Sequence, residues 1–488
     1  MAEYLRPDVY VEELNDGAKP IQSVSTSVGS FVGIAPRGTT NKAVLCSSWT
    51  DYVRKFAEGL DTPFMRDSHL SDAVYGFFQN GGSNCYIVRP KTEGMKKAVA
   101  QEVMGRTRTT KEGVDPKSSP LVITAKDEGA WANDMKLEVK ANGELFDLIV
   151  SIKDTVVEEF EEVSNDPTSE YHYTYVVNEK SKFIHINEGQ TLVVKSYTFS
   201  GGAYNNSGVS DKELVDGLQA LNSVEVNMVA IPGKTSDTVH TGLLNYADGR
   251  KDCFAIVDLP KNLSSIEEVM SAREKLSGDL GATYFPWGKI ADPFSRNGAF
   301  RLCPPSGHMM GLYARTDVDR GVHKAPAGEE AKVRGFVELA YDLEPSEIDL
   351  LNPRGVNCII AKPNVGIVSW GARTVSSDPY KRYVSDVRYD MMIKGSLYKG
   401  TQWAVFEPNG EELWERVATS IQAFLDVQWR DGALRGETAE QAYYVKCDAD
   451  LNTEDTMNLG RLIAEIGYSK KKPAEFVIVR ISQKSISN

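Results

Sequence analysis

The 488-residue chain is long enough for about three domains at roughly 150 residues each, and its 41% hydrophobic content supports packed cores rather than disorder. Its 55 basic and 68 acidic residues leave a net charge of -13, which argues against wholesale binding of nucleic acid or of an anionic membrane through the global field. No apolar run approaches the ~18 residues of a membrane span, and Met1-Ala2-Glu3-Tyr4-Leu5 does not open like a secretory signal, so the expectation is a protein that stays in the cytoplasm or leaves it by another route.

Residues 1–21 contain an extended stretch, Pro7 to Glu13, whose centre Val9, Tyr10, Val11 and Glu12 alternates like a strand. Polar sequence with Gly and Pro follows it in place of a hairpin partner, so it pairs elsewhere in its own fold or adds to the sheet edge of a neighbouring copy. Phe31 to Ala35 reads as a buried strand ended by Pro36-Arg37-Gly38. Ser48 caps a helix carrying Trp49, Tyr52, Val53 and Phe56, with Asp51 three residues after the cap. A second helix with Leu70, Ala73, Val74, Phe77 and Phe78 breaks at Asn80-Gly81-Gly82, before a strand from Cys85 to Arg89.

The stretch 105–120 turns polar, and the period then changes to short strands: 121–125, 135–140, 146–152, 156–160, 171–177 and 183–186. This predicts a mostly antiparallel β insertion over 105–204. After Ser210, helices at 211–221, 239–247 and 266–276 alternate with strands at 226–231, 253–259 and 283–287, as in a parallel sheet covered by helices. The α/β domain is therefore read as 22–104 plus 205–350, interrupted by the insertion.

Residues 351–488 read as a C-terminal α+β domain. Strands are expected at 356–361, 366–370 and 383–387, then a helix placing Tyr389, Met392, Ile393, Ser396 and Leu397 on one face. Its other face carries Met391, Lys394 and Tyr398, flanked by Arg388 and Lys399, and Gly395 marks either a close approach or a bend. Asn409, with Glu412 three residues on, predicts the cap of a helix through Leu413, Val417, Ile421, Phe424 and Gln428. Strands at 443–447, 462–466 and 476–481 close the domain, the last containing Phe476, Val477, Ile478 and Val479.

Signals for chemistry are few. Gly233-Lys234-Thr235 follows a strand, but a phosphate-binding loop needs a glycine where Met228 stands, and Pro232 removes a backbone donor. The six histidines lack metal-ligand spacing, the six cysteines read as small buried hydrophobes, and no Gly-x-Ser-x-Gly elbow occurs. The expectation is a chain with no catalytic residue, metal or cofactor; the rival reading is an α/β nucleotide-dependent enzyme.

Several of these words, in order, resemble the contractile tail sheath family. They are Phe31-Val32-Gly33, Phe77 to Tyr86, Asn352-Pro353, Trp370 to Thr374, Ser376 to Pro379, Gly400 to Asn409, Trp429 to Leu434 and Pro473 to Phe476. Two words depart from the family: Ala132 stands where Gly is usual in Gly129 to Asn133, and His323 where Trp is frequent in Gly321 to Glu329. The resemblance implies self-association into hexameric rings stacked helically around an inner tail tube protein, with baseplate and tail terminator proteins at the ends. It implies no nucleic-acid partner and no direct membrane insertion. It also implies assembly in the producing bacterium's cytoplasm, then residence in a virion tail or a released phage-tail-like particle. The extended arm at Val9 to Glu12 would link neighbours, beside the terminal strand Phe476 to Val479. The insertion would face outward, and the face of Arg388, Met391, Lys394, Tyr398 and Lys399 would meet the tube. The large sheath chain of a secretion system is the rival within the same class.

Overall fold

A computed structural model describes residues 19–101, 121–187, 191–204 and 209–475. The fold is a mixed α/β architecture in two compact units: residues 27–319 with 326–384, and residues 19–26, 320–325 and 385–475 of those described.

The larger unit is built on an eight-stranded sheet. Its order is Gly366–Ser369, Val356–Lys362, Gly281–Phe285, Phe254–Asp258, Met228–Ala230, Gly29–Val32, Cys85–Val88, Ala43–Cys46. The six inner strands run parallel and the two edge strands antiparallel. Phe254–Asp258 and Gly281–Phe285 are buried at every position, as strands covered on both faces must be. One cover packs Leu214, Leu243, Leu244 and Val269 against Val32, Val229 and Val257. The other comes from helices Leu70–Gln79 and Ser306–Arg320, with Phe77 edge-on to Phe31 at 5.7 Å and the Tyr313 and Tyr284 hydroxyls 2.5 Å apart.

The β-rich part of this unit starts at Lys97–Gln101, earlier than position 105, because that strand pairs with Val122–Glu128. Ile184–Ile186 completes a three-stranded sheet. A four-stranded antiparallel sheet runs Ser196–Thr198, Met135–Asn142, Leu145–Ile152, Thr155–Val163. Met135, Leu137 and Val139 alternate inward against Leu148 and Val150, with Trp131 and Phe183 in the same core. The joint to the large sheet is polar: Arg89, fully buried, donates to the carbonyls of Ala35, Gly38 and Glu128 at 2.8–3.0 Å.

Four expectations are corrected here. Residues 171–177, rich in aromatic and β-branched side chains, form not a strand but part of helix Tyr173–Lys180, because Tyr173 and Val177 bury at four-residue spacing while Tyr175 stays exposed. Residues 383–387 likewise open helix Val384–Gly400, with Val384, Val387 and Arg388 buried together. Asn409 does not cap the next helix: Gly410 does, and the Asn409 side chain accepts from Trp414 Nε1 and donates to the Arg461 carbonyl, each at 2.8 Å. Strand Val356–Lys362 extends the large sheet by pairing with Gly281–Phe285, and Gly366–Ser369 pairs with Val356–Lys362 in turn, so the second unit begins at 385 rather than 351.

That second unit packs helices Val384–Gly400 and Glu411–Arg430 on a hairpin of Tyr443–Lys446 and Glu465–Tyr468. Ile393, Leu413, Val417, Phe424 and Leu425 fill its core, together with Ile21. Residues 19–26 therefore belong to this packing: the Val24 amide donates to Ser396 Oγ at 2.9 Å, and Gly395 leaves room for Val24.

Candidate functional site

Helix Val384–Gly400 carries the surface singled out in the sequence. Met391, Lys394 and Tyr398 recur at three and four residues, so one stripe holds all three. Met391 is half-buried, Lys394 and Lys399 are exposed, and Tyr398 is 69% exposed. Arg388 departs from the expectation. It is buried, and its guanidinium donates to the Thr26 carbonyl at 2.8 Å, because residues 19–26 run along the helix, with Thr26 at Arg388, Val24 at Ser396 and Ile21 at Gly400. What is exposed of the face is Lys394, Tyr398 and Lys399.

The turn after the helix adds a feature that sequence reasoning missed. Phe406 is fully exposed at a positive φ of 69°, a conformation a bulky residue rarely holds, and Val405 beside it is also exposed. Trp403, one turn earlier, lies between Lys19 and Arg416, whose cations sit 5.2 and 4.7 Å from its ring centre. Four consecutive apolar residues, Trp403 to Phe406, between a helix end and Pro408 fit neither a helical nor a strand period, and that was the available signal. The exposed groups are thus Lys394, Tyr398 and Lys399 at the end of the helix and an apolar tip at Val405 and Phe406 in the turn after it. Val9, Tyr10, Val11, Glu12, Phe476, Val477, Ile478 and Val479 lie outside the described residues.

The rival enzymatic signal lies in the larger unit. The chain leaves strand Gly29–Val32 toward Cys85–Val88 on one side and reaches Met228–Ala230 on the other, which is the switch point where open α/β sheets bind ligands. A crevice of ≈ 250 Å³ there is lined by Arg66, His69, Pro232, Lys234, Lys261 and Trp287. Its loop is not a phosphate cradle. The Gly233 amide donates to Asp258 Oδ2 at 2.9 Å and the Lys234 amide to the Ile231 carbonyl at 3.3 Å, so these donors are spent within the protein. Asp258 is buried, which pushes its carboxyl up to about 6. It also accepts from the Ser306 amide at 3.0 Å and the Ser306 hydroxyl at 2.7 Å. The hydroxyl thus meets a carboxylate with no imidazole between them, unlike a nucleophile–base–acid relay. The carboxylate ties the strand end, the loop and the start of helix Ser306–Arg320 into one joint.

Comparisons with known proteins agree with the words read in the sequence. The phage tail sheath protein central domain matches residues 207–375 and the phage tail sheath C-terminal domain residues 376–484, together more than half of the chain. The chain is 28% identical over 267 residues to a protein of Pseudomonas aeruginosa (strain UCBPP-PA14) named "Putative prophage major tail sheath protein", covering 54% of this chain and 66% of that one. It is 24% identical over 343 residues to the tail sheath protein of Vibrio phage KVP40, covering 62% of this chain and 49% of that one. These matches span less than two thirds of either relative's length. The fold is similar to the sheath of an extracellular contractile injection system, PVC, in its contracted state, at a TM-score of 0.62, 22% identity and 99% of both chains. By the two family domains that match in succession, the chain belongs to the phage tail sheath protein family.

Proposed function

We propose that this chain is the structural subunit of a contractile tail sheath, which polymerises around an inner tube and shortens to drive that tube through a target envelope. The match of both sheath domains, one directly after the other, carries this reading. Copies associate as hexameric rings stacked helically, with baseplate and terminator proteins at the ends. Contraction is a lattice transition in which terminal arms keep neighbours linked while the bodies rotate and repack, its energy stored in the extended lattice rather than drawn from a cofactor. The unit of residues 385–475 faces the tube, through Lys394, Tyr398 and Lys399 with the tip at Val405 and Phe406, and the β-rich segment faces outward. The chain performs no catalysis, and its place is a virion tail or a phage-tail-like particle. No described helix is long and apolar enough to cross a membrane. Negative-stain micrographs of the purified protein test the reading: rods or cogwheel-edged tubes support it, and uniformly dispersed particles at assembling concentrations count against it.

A further inference from the structure

A second cavity in the larger unit, of ≈ 250 Å³, is lined by four arginines, Arg273, Arg354, Arg373 and Arg382. In a chain with 68 acidic and 55 basic residues, such a cluster is unexpected unless something neutralises it. For three of them, Arg273, Arg354 and Arg382, no carboxylate among the described residues does so. Arg273 spends two of its nitrogens on the carbonyls of Leu276 and Val375, at 2.8 and 2.6 Å, and Arg354 one on the Leu350 carbonyl at 2.9 Å. Among the described residues neither of them, nor Arg382, is ion-paired, and the Arg273 Nε is buried without a hydrogen-bond partner. Burial alone pulls the Arg273 guanidinium below its ordinary value, with no carboxylate raising it. One aspartate, Asp378, lines the cavity, and its Oδ1 already accepts from the Tyr380 amide at 2.9 Å. Gly355 completes the wall. Its φ of 76° and its missing Cβ let the backbone pass close to the Thr374 carbonyl oxygen, which a Cβ there would approach to 2.5 Å.

We propose that this cavity is an oxyanion-binding site, taking a phosphate or carboxylate group in the forks of Arg354 and Arg382 over the half-buried Arg273. Guanidinium groups match two-oxygen anions in pairs of charge-assisted hydrogen bonds, and a volume several times a water's share of about 30 Å³ admits a phosphate with part of its hydration shell. The same chemistry is offered by free inorganic phosphate and by an Asp or Glu side chain of a second copy of this chain. Isothermal titration of the purified full chain with inorganic phosphate, in chloride buffer at constant ionic strength, tests the site. The expected result is one equivalent bound per chain, weakened about tenfold or more by Arg354→Gln with Arg382→Gln, since each change removes charge-assisted hydrogen bonds. Should the double variant fail to fold, Arg382→Gln alone serves, because among the described residues its guanidinium holds no hydrogen bond or ion pair. Repeating the titration on assembled particles separates the sources: loss of the phosphate site on assembly assigns it to a neighbour's carboxylate, and its persistence assigns it to free phosphate. A titration without saturable binding, or equal affinity in wild type and variant, overturns the proposal. Neither result bears on whether the chain forms tubes, which micrographs read separately.

Discussion

His308 lies 1% exposed with its ring 4.2 Å from that of Phe336 and above Gly76, where any side chain would overlap it. Burial pulls its pKa from 6.5 down to about 3, and burial likewise holds His69 near 4. A group with a depressed folded value leaves the unfolded chain binding more protons, so this stability is complete above pH 6.5 and is lost as pH falls toward the folded values. Asp258 works in the opposite sense. Raised from 3.8 to about 6, it holds a proton in the folded chain that the unfolded chain releases, and so offsets one of the two histidines in that window. His308→Gln should therefore make the loss of stability between about pH 7 and about pH 4.5 shallower by on the order of 2 kcal/mol, measured by urea unfolding at the two values. Parallel pH profiles in wild type and variant would show that His308 is not the acid-sensitive group. None of this was legible in the sequence, because His308 stood in a stretch with no clear period, and only the fold puts Phe336 and Gly76 against it. Asp258 was equally silent. Its partners Gly233 and Ser306 are 25 and 48 residues away.

Helices were legible where caps and period agreed: Ser48 accepts from the Asp51 amide as its spacing implies, and helix Glu411–Arg430 buries Leu413, Val417, Ile421, Phe424 and Gln428 as read. Helix Ser306–Arg320 escaped notice because its first nine residues are all buried, so it shows no amphipathic contrast. It crosses helix Leu70–Gln79 closely through Gly307 and Gly311, where a Cβ would overlap the Ala73 and Phe77 carbonyl oxygens. Gly307→Ala should cost about 1–3 kcal/mol of unfolding free energy in a denaturant titration, since two backbones must separate to admit one methyl. A cost below the error of the fit would mean that the helices part freely. For helix Val384–Gly400, the composition of the exposed face was readable but its extent was not, because Arg388 is covered by residues 19–26, more than 360 positions earlier in the chain. Lys394→Glu with Lys399→Glu should abolish sheath growth on inner tubes, by reversing the charge that sets register with an acidic partner, while sparing sheath-to-sheath contacts. Normally sheathed tubes in that variant would assign the face to solvent.

For the whole molecule, the order of α/β and β segments was readable from changes of period, whereas the boundary at 384–385 was not. Strands Val356–Lys362 and Gly366–Ser369 look the same in sequence whichever sheet receives them, and only the pairing of the first with Gly281–Phe285 decides. Assembly rests on the proposal that the arm around Val9, Tyr10, Val11 and Glu12 adds as a strand to a neighbour, each backbone hydrogen bond contributing about 1 kcal/mol net. Deleting Ala2 to Asp16 should yield a folded monomer with an unchanged unfolding midpoint that forms no tubes. Normal tubes would make the arm dispensable, and an unfolded product would place the strand in its own subunit. The central claim, that this chain builds a sheath with its second unit toward the tube, is tested most directly by a helical cryo-electron microscopy reconstruction of the assembled protein. The account predicts hexameric rings whose inner wall is formed by residues 385–475, with Lys394, Tyr398 and Lys399 facing the lumen. An inner wall formed by the sheet of Met135–Asn142 and Leu145–Ile152, or the absence of any helical assembly, would contradict it.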